Sequence, residues 1–115
     1  MSIIIYHNPN CGTSRKVLAW LRDKGHAPRV IEYLKTPPDA ATLRHILKSM
    51  GAKPVDILRR KGDAYVALGD LAKLSEADLI ARMVAEPVLI ERPIVVAGKA
   101  AVLCRPAERV WEIVD

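Results

Sequence analysis

Phenylalanine is missing from this chain, and aromatic residues make up only 4% of its 115 positions. Since half of the residues are hydrophobic, the core must be built from Leu, Ile, Val and Ala. No apolar run approaches the roughly 20 residues that a bilayer-crossing helix needs, so no membrane role is expected. The N-terminus lacks the basic region, apolar segment and cleavage site of a secretory signal, and none is expected. Cysteine occurs only twice, at widely separated positions, which is too few for a disulfide framework and points to a reducing cytoplasm. Phosphate-cradling signatures are also missing: there is neither a Gly-x-x-x-x-Gly-Lys loop nor a Gly-x-Gly-x-x-Gly turn. His7 and Cys11 have no second Cys/His pair at ligand spacing, so no metal is expected. These absences exclude nucleotide-dependent and zinc-dependent chemistry as first readings.

What is present is basic. The net charge is +5 and the isoelectric point about 9.5. Yet the basic residues are scattered, apart from Arg59-Arg60-Lys61, and no stacking aromatics are interleaved with them, so nucleic acid is not the expected partner. Scattered charge of this kind reads first as a solvated surface; the functional variant is that some of the arginines converge on a small anion at Cys11.

Cys11 supplies the chemistry. The apolar run Ile3-Ile4-Ile5-Tyr6 reads as a strand, His7-Asn8-Pro9-Asn10 as a polar loop, and Cys11 stands where a helix over 13–24 begins. Thr13 and Ser14 are cap candidates, Val17, Leu18 and Leu21 give the apolar face, and Gly25 is the stop. A thiol at a helix N-terminus lies beside unpaired N–H groups and the positive end of the macrodipole. That setting lowers a free thiol's pKa of about 8.5, and the same N–H groups cradle anions. Ser14 occupies the place of a resolving cysteine, so an oxidised Cys11 needs an outside thiol.

The segments 3–6, 13–24 and 29–34 form a β-α-β unit with parallel strands. A helical stretch over about 37–86 follows, with Leu43, Ile46, Leu47 and Met50 as one apolar stripe ended by Gly51. Within it lie a short helix over 55–60 and a third helix starting at the capping-box-like Ser75-Glu76-Ala77-Asp78. Ile94-Val95-Val96 and Ala101-Val102-Leu103-Cys104 form a hairpin, and Pro106 opens a last helix bearing Val110, Trp111 and Val114. The order β-α-β, helical insertion, β-β-α predicts an α/β, thioredoxin-like fold, with 1–115 a single domain. Adjacent strand residues point to opposite faces, so if Arg105 faces the anion, Cys104 faces away and is a buried strand cysteine. His26 and His45 read as surface residues and Trp20 and Trp111 as packing residues, while Tyr6 and Tyr33 are possible pocket walls.

Three motifs now carry a resemblance. His7-Asn8-Pro9-Asn10-Cys11-Gly12-Thr13-Ser14-Arg15, Glu91-Arg92-Pro93-Ile94-Val95 and Leu103-Cys104-Arg105-Pro106 resemble the glutaredoxin-coupled arsenate reductases of the ArsC type. Tyr33-Leu34, Pro37-Pro38 and Ile57-Leu58-Arg59 extend the likeness along the chain. The chain stops earlier than the best-known members, as a short form. The resemblance implies reduction of arsenate to arsenite, with Cys11 as nucleophile. Arg59 (or, with a slip of one residue, Arg60), Arg92 and Arg105 would bind the anion with the N–H groups of Gly12, Thr13, Ser14 and Arg15. It further implies that His7 tunes the thiolate and that Pro93 follows a cis bond. Glutathione would be the co-substrate and glutaredoxin the protein partner, with no bound cofactor and a monomeric enzyme of arsenic detoxification. Phosphatase-like arsenate reductases place an arginine six positions after the cysteine; Val17 stands there, which excludes that class. The alternatives are thiol chemistry on another small or glutathionylated substrate, or a non-catalytic Spx-like module, whose Cys-x-x-Cys switch Ser14 would remove.

Overall fold

The computed structural model describes residues 2–115, which fall into two compact units: one of residues up to Thr36 with Arg92–Asp115, the other Pro37–Glu91. The first holds a four-stranded sheet. Its strands are β1 (Ile3–His7), β2 (Arg29–Glu32), β3 (Ile94–Ala97) and β4 (Ala100–Leu103), in the order β2-β1-β3-β4. β1 runs parallel to β2, with Ile5 opposite Val30, and antiparallel to β3, with Ile5 opposite Val95. β3 and β4 form the expected hairpin, with Gly98 at a φ of 61° in its turn. Glycine suits that left-handed backbone because it has no Cβ.

Helix α1 (Gly12–Asp23) links β1 to β2. It begins one residue earlier than its apolar pattern suggested, because Cys11 itself is the N-cap and its carbonyl accepts the Arg15 N–H at 3.0 Å. The helix ends at Lys24 in a Schellman motif: Gly25 (φ 86°) donates to Arg22 O at 2.9 Å, and His26 to Leu21 O at 3.0 Å. Val17, Leu18 and Leu21 pack on Ile3, Ile5, Val95, Ala97 and Val102, together with Val110 and Val114. The last helix is a 3₁₀ segment, Ala107–Glu112, rather than an α-helix. Pro106 precedes it instead of opening it, with extended backbone (ψ 165°). Trp111 on this segment stacks on Trp20 of α1, ring centroids 5.9 Å apart. The two tryptophans act as packing residues, with Lys16 and Lys24 over their faces.

β2 is shorter than its apolar run, because Tyr33-Leu34-Lys35 turn away from the sheet: the Lys35 and Thr36 N–H groups both donate to Glu32 O. Tyr6 and Tyr33 are buried.

The second unit is helical. α2 (Ala40–Met50) is capped by Asp39, whose carboxylate accepts the Thr42 N–H at 2.8 Å, and it ends at Gly51 (φ 66°). α3 (Asp63–Ala67) is short. α4 (Glu76–Ala85) starts in a full capping box, Ser75 accepting from Asp78 N–H and Asp78 from Ser75 N–H. The short helix expected over 55–60 is a 3₁₀ turn, Pro54–Ile57, after which Leu58 bridges to Ile90. Extended pairing there ends the turn before Arg59. Further 3₁₀ turns at Leu71–Lys73 and Pro87–Leu89 were not evident from periodicity, being too short to show one. Leu43, Ile46, Leu47, Ile57, Leu79, Ile80, Met83 and Leu89 are buried in this unit. Among the described residues, no helix is long and apolar enough to cross a membrane.

The β-α-β order, the β3–β4 hairpin and the closing helix give an α/β, thioredoxin-like architecture, and the helical residues lie between its second and third strands.

Candidate active site

β1 delivers His7 and Asn8 to the point where the chain leaves the sheet, and both are buried. The Asn8 side chain accepts the Asn10 N–H at 2.9 Å, and its carbonyl accepts the Cys11 N–H at 3.0 Å. This Asx turn folds the loop back so that Cys11 arrives at the start of α1. The Arg15 guanidinium donates to Pro9 O at 2.9 Å and ties the same loop from outside.

Ser14 is fully buried, one helical turn into α1. Its hydroxyl accepts the Asn8 N–H at 3.1 Å and lies 2.6 Å from His7 Nδ1. Burial is the chief cause that lowers the pKa of His7; the Glu32 carboxylate opposes it, and the positive charges of Arg22 and Arg15 add to the lowering. The imidazole is therefore held toward its neutral form, in which Nδ1 can accept the hydroxyl proton. His7 touches Ser14 rather than Cys11, so any influence on the thiol passes through Ser14 and the loop. Because the Ser14 hydroxyl is engaged in the interior, what Ser14 can offer a ligand is its N–H.

Cys11 is partly exposed. Burial pushes its thiol up. The Ser14 N–H, the Arg92 guanidinium and the Thr13 N–H outweigh that, and the pKa lies below the ordinary thiol value. Gly12, just beyond, is exposed. A Cβ added there would meet only Arg15 Nη2, at 3.8 Å, so glycine leaves the helix entrance open rather than relieving a clash.

The other end of the sheet motif supplies the cations. Arg92 and Arg105 each precede a cis proline, Pro93 and Pro106; the resemblance pointed only to the first. Cys104 N–H donates to Pro93 O at 2.9 Å, which sets the two segments side by side. Arg105 Nη1 donates to the Arg92 carbonyl at 3.1 Å and lies 3.9 Å from Cys11 Sγ. The Nε of Arg92 is buried with no hydrogen-bond partner among the described residues. A buried donor left unpaired is costly, and an oxyanion beside Cys11 is the kind of acceptor that would satisfy it.

Cys104 faces the core, as expected, but it lies one residue beyond β4 and not within the strand. It is fully buried in the core of the first unit, and burial raises its pKa to about 12. It is a packing thiol. Arg59 and Arg60 lie in the second unit. Arg60 is exposed, while Arg59 is partly buried and bonded to Glu91 at 2.8 Å. Among the described residues, no group of three or more His, Cys, Asp or Glu side chains could hold a metal.

The structure thus brings Cys11, the Gly12–Ser14 helix start, Arg92 and Arg105 together within one unit, with His7 one contact removed. The structural parts of Asn8 and Glu91 escaped the sequence reading. The Asn-Pro-Asn loop carried a turn signal for Asn8; nothing local marked Glu91 as the partner of Arg59.

The residues from 6 to 113 match the model of the ArsC family. The chain belongs to the ArsC family. It is 44% identical over 115 residues to the arsenate reductase of Rhizobium meliloti strain 1021, covering 98% of this chain and 81% of that one. It is 50% identical over 113 residues to the protein YfgD of Escherichia coli K12, described as uncharacterized, covering 96% and 94%. The solved arsenate reductase of Vibrio cholerae superposes with a TM-score of 0.92 at 44% identity, covering 99% of this chain and 98% of that one. The agreement therefore extends through both units.

Proposed function

We propose that this protein reduces arsenate to arsenite through Cys11. The observation that carries the reading is a thiol of lowered pKa at the start of α1, with Arg105 3.9 Å away and Arg92 stabilising its charged form. The names of its relatives supply the substrate: proteins 42–45% identical to it are arsenate reductases. Arsenate is tetrahedral, doubly charged near neutral pH, and rich in acceptor oxygens, which suits planar guanidinium forks and helix-start N–H groups.

In the mechanism, the Cys11 thiolate attacks arsenic, and a hydroxyl leaves as water after taking a proton. Arg92, Arg105 and the N–H groups of Gly12 to Arg15 hold the oxygens and stabilise charge as it shifts. By its match to the family motif, Arg59 is the third arginine. Glutathione thiolate then attacks the Cys11 sulfur. A disulfide bond forms, the sulfur–arsenic pair of electrons passes to arsenic(V), and arsenic(III) leaves as arsenite. A glutaredoxin thiolate attacks the glutathione sulfur and frees Cys11. Ser14 in place of a second thiol and the inward-facing Cys104 support an external reductant. The enzyme works without a bound cofactor, as a cytoplasmic monomer in arsenic detoxification, and His7 tunes the thiolate by holding Ser14.

The test is NADPH oxidation coupled through glutathione reductase, glutathione and glutaredoxin, with arsenate as acceptor. Wild type should turn over, and Cys11→Ser should be inactive. Turnover by Cys11→Ser at a wild-type rate, or none by the wild type, would overturn the reading. Arsenite formation, followed directly, that persists with another thiol reductant in place of glutathione would overturn the proposed reductant.

A further inference from the structure

Arg59 is held by an unusual local frame. Leu58 and Ile90 form an isolated antiparallel bridge. On either side of it, Arg59 N–H donates to Leu89 O and Glu91 N–H donates to Ile57 O, both at 2.8 Å. This short ladder puts Arg59 and Glu91 on the same face as diagonal neighbours, a separation that long side chains bridge. Arg59 Nη1 donates to Glu91 Oε1 at 2.8 Å, and each side chain is only 21% exposed. Both ends of the contact are therefore fixed by backbone bonds, unlike the exposed Lys35–Glu32 and Arg109–Glu112 pairs, which lie three residues apart on one segment.

We propose that Glu91 is the positioning residue for the anion-binding arginine Arg59. This rests on the reading of Arg59 as an oxyanion ligand. A guanidinium carries five N–H donors in a rigid plane, so pinning one arm orients all the others. Glu91 takes one donor and leaves a second edge of the fork for the substrate. An arginine without such an anchor would have to be immobilised by the oxyanion itself, at the expense of affinity. Glu91 acts on binding and leaves the chemistry at Cys11 untouched.

The experiment is arsenate steady-state kinetics on Glu91→Ala, Glu91→Gln, Arg59→Ala and the Arg59→Ala/Glu91→Ala double variant, with thermal unfolding to verify that each folds. Glu91→Ala should raise KM for arsenate about three- to tenfold, the range expected for freeing one long side chain, with kcat within twofold. Glutamine keeps an acceptor oxygen at the same place, so Glu91→Gln should restore KM to within twofold of wild type. In the Arg59→Ala background, removing Glu91 should raise KM by clearly less than it does in the wild type. The proposal is overturned if Arg59→Ala raises KM while Glu91→Ala leaves it within twofold or lowers it, which would make Glu91 a bystander or a competitor. It is equally overturned if the Glu91→Ala effect persists undiminished without Arg59, or if glutamine fails to rescue a folded protein. An Arg59→Ala variant with unchanged KM and kcat would instead remove Arg59 from the anion site, and the inference with it.

Discussion

Arg105→Lys separates charge from geometry in the anion clamp. In the native structure Arg105 Nη1 both donates to the Arg92 carbonyl at 3.1 Å and lies 3.9 Å from Cys11 Sγ. A lysine keeps the charge. At such a distance and an effective dielectric constant of about 20, a charge pair is worth about 4 kcal/mol, and lysine retains that to first order. What it loses is the fork, because one ammonium cannot hold the Arg92 carbonyl and also present two parallel donors to an oxyanion. A lost hydrogen bond to a charged group costs about 1.5–3 kcal/mol. At tenfold per about 1.4 kcal/mol, kcat/KM for arsenate should fall about 10- to 150-fold. Alkylation of Cys11 by the neutral reagent iodoacetamide, measured on the same protein, should change less than about threefold, since the charge beside the thiolate is preserved. Arsenate turnover within twofold of wild type would refute the clamp. An equal fall in both reactions would show that Arg105 serves the thiolate and does not hold the substrate.

The remaining predictions concern the two thiols and the buried histidine. Cys104→Ala should keep most of the arsenate turnover, at a stability cost of about 1 kcal/mol for a small cavity, because Cys104 faces the core; inactivity of the folded variant would point to an internal disulfide. The rate of Cys11 alkylation against pH should show a midpoint below that of a free thiol, and Arg92→Ala should move it upward, since the Arg92 guanidinium favours the thiolate; an unmoved midpoint would remove Arg92 from thiol activation. His7 binds its proton less readily folded than unfolded, so its contribution to stability is complete above the ordinary value of 6.5 and is lost as pH falls from there toward the lowered folded value. His7→Gln should flatten that decline in the thermal midpoint, and a variant with the wild-type slope would show that His7 is not its source.

The local rules of the chain were legible without coordinates. The Ile3–Tyr6 run, the 3.6-residue spacing of Val17, Leu18 and Leu21, the Gly25 and Gly51 stops and the Ser75–Asp78 capping box depend on neighbours within one or two turns, and each forms within a residue of where those neighbours place it, β1 taking in His7 as well. Cys11 at a helix start is likewise a local fact, and so is the opposite facing of Cys104 and Arg105. The last helix failed as an α-helix, and the stretch after Ile57 failed as a continued helix. There the backbone's partners are distant: Leu58 pairs with Ile90, and the Ala107–Glu112 segment is shaped by packing on α1. Propensity is weak enough for such contacts to override it.

Most of the candidate site lies beyond what local pattern can show. Arg105 reaches Cys11 from 94 positions away because β3 pairs with both β1 and β4. The pairing of Arg59 with Glu91 across 32 positions needs the Leu58–Ile90 bridge. Its sequence position suits Ser14 to be a cap or an anion donor. Its hydroxyl instead lies buried between His7 and Asn8, because burial of a polar group forces it to find partners inside. Residue types and spacing thus announced a reactive thiol and a supply of arginines, while the distances, the choice of partner and the proton affinities came from strands and loops brought together by long-range pairing.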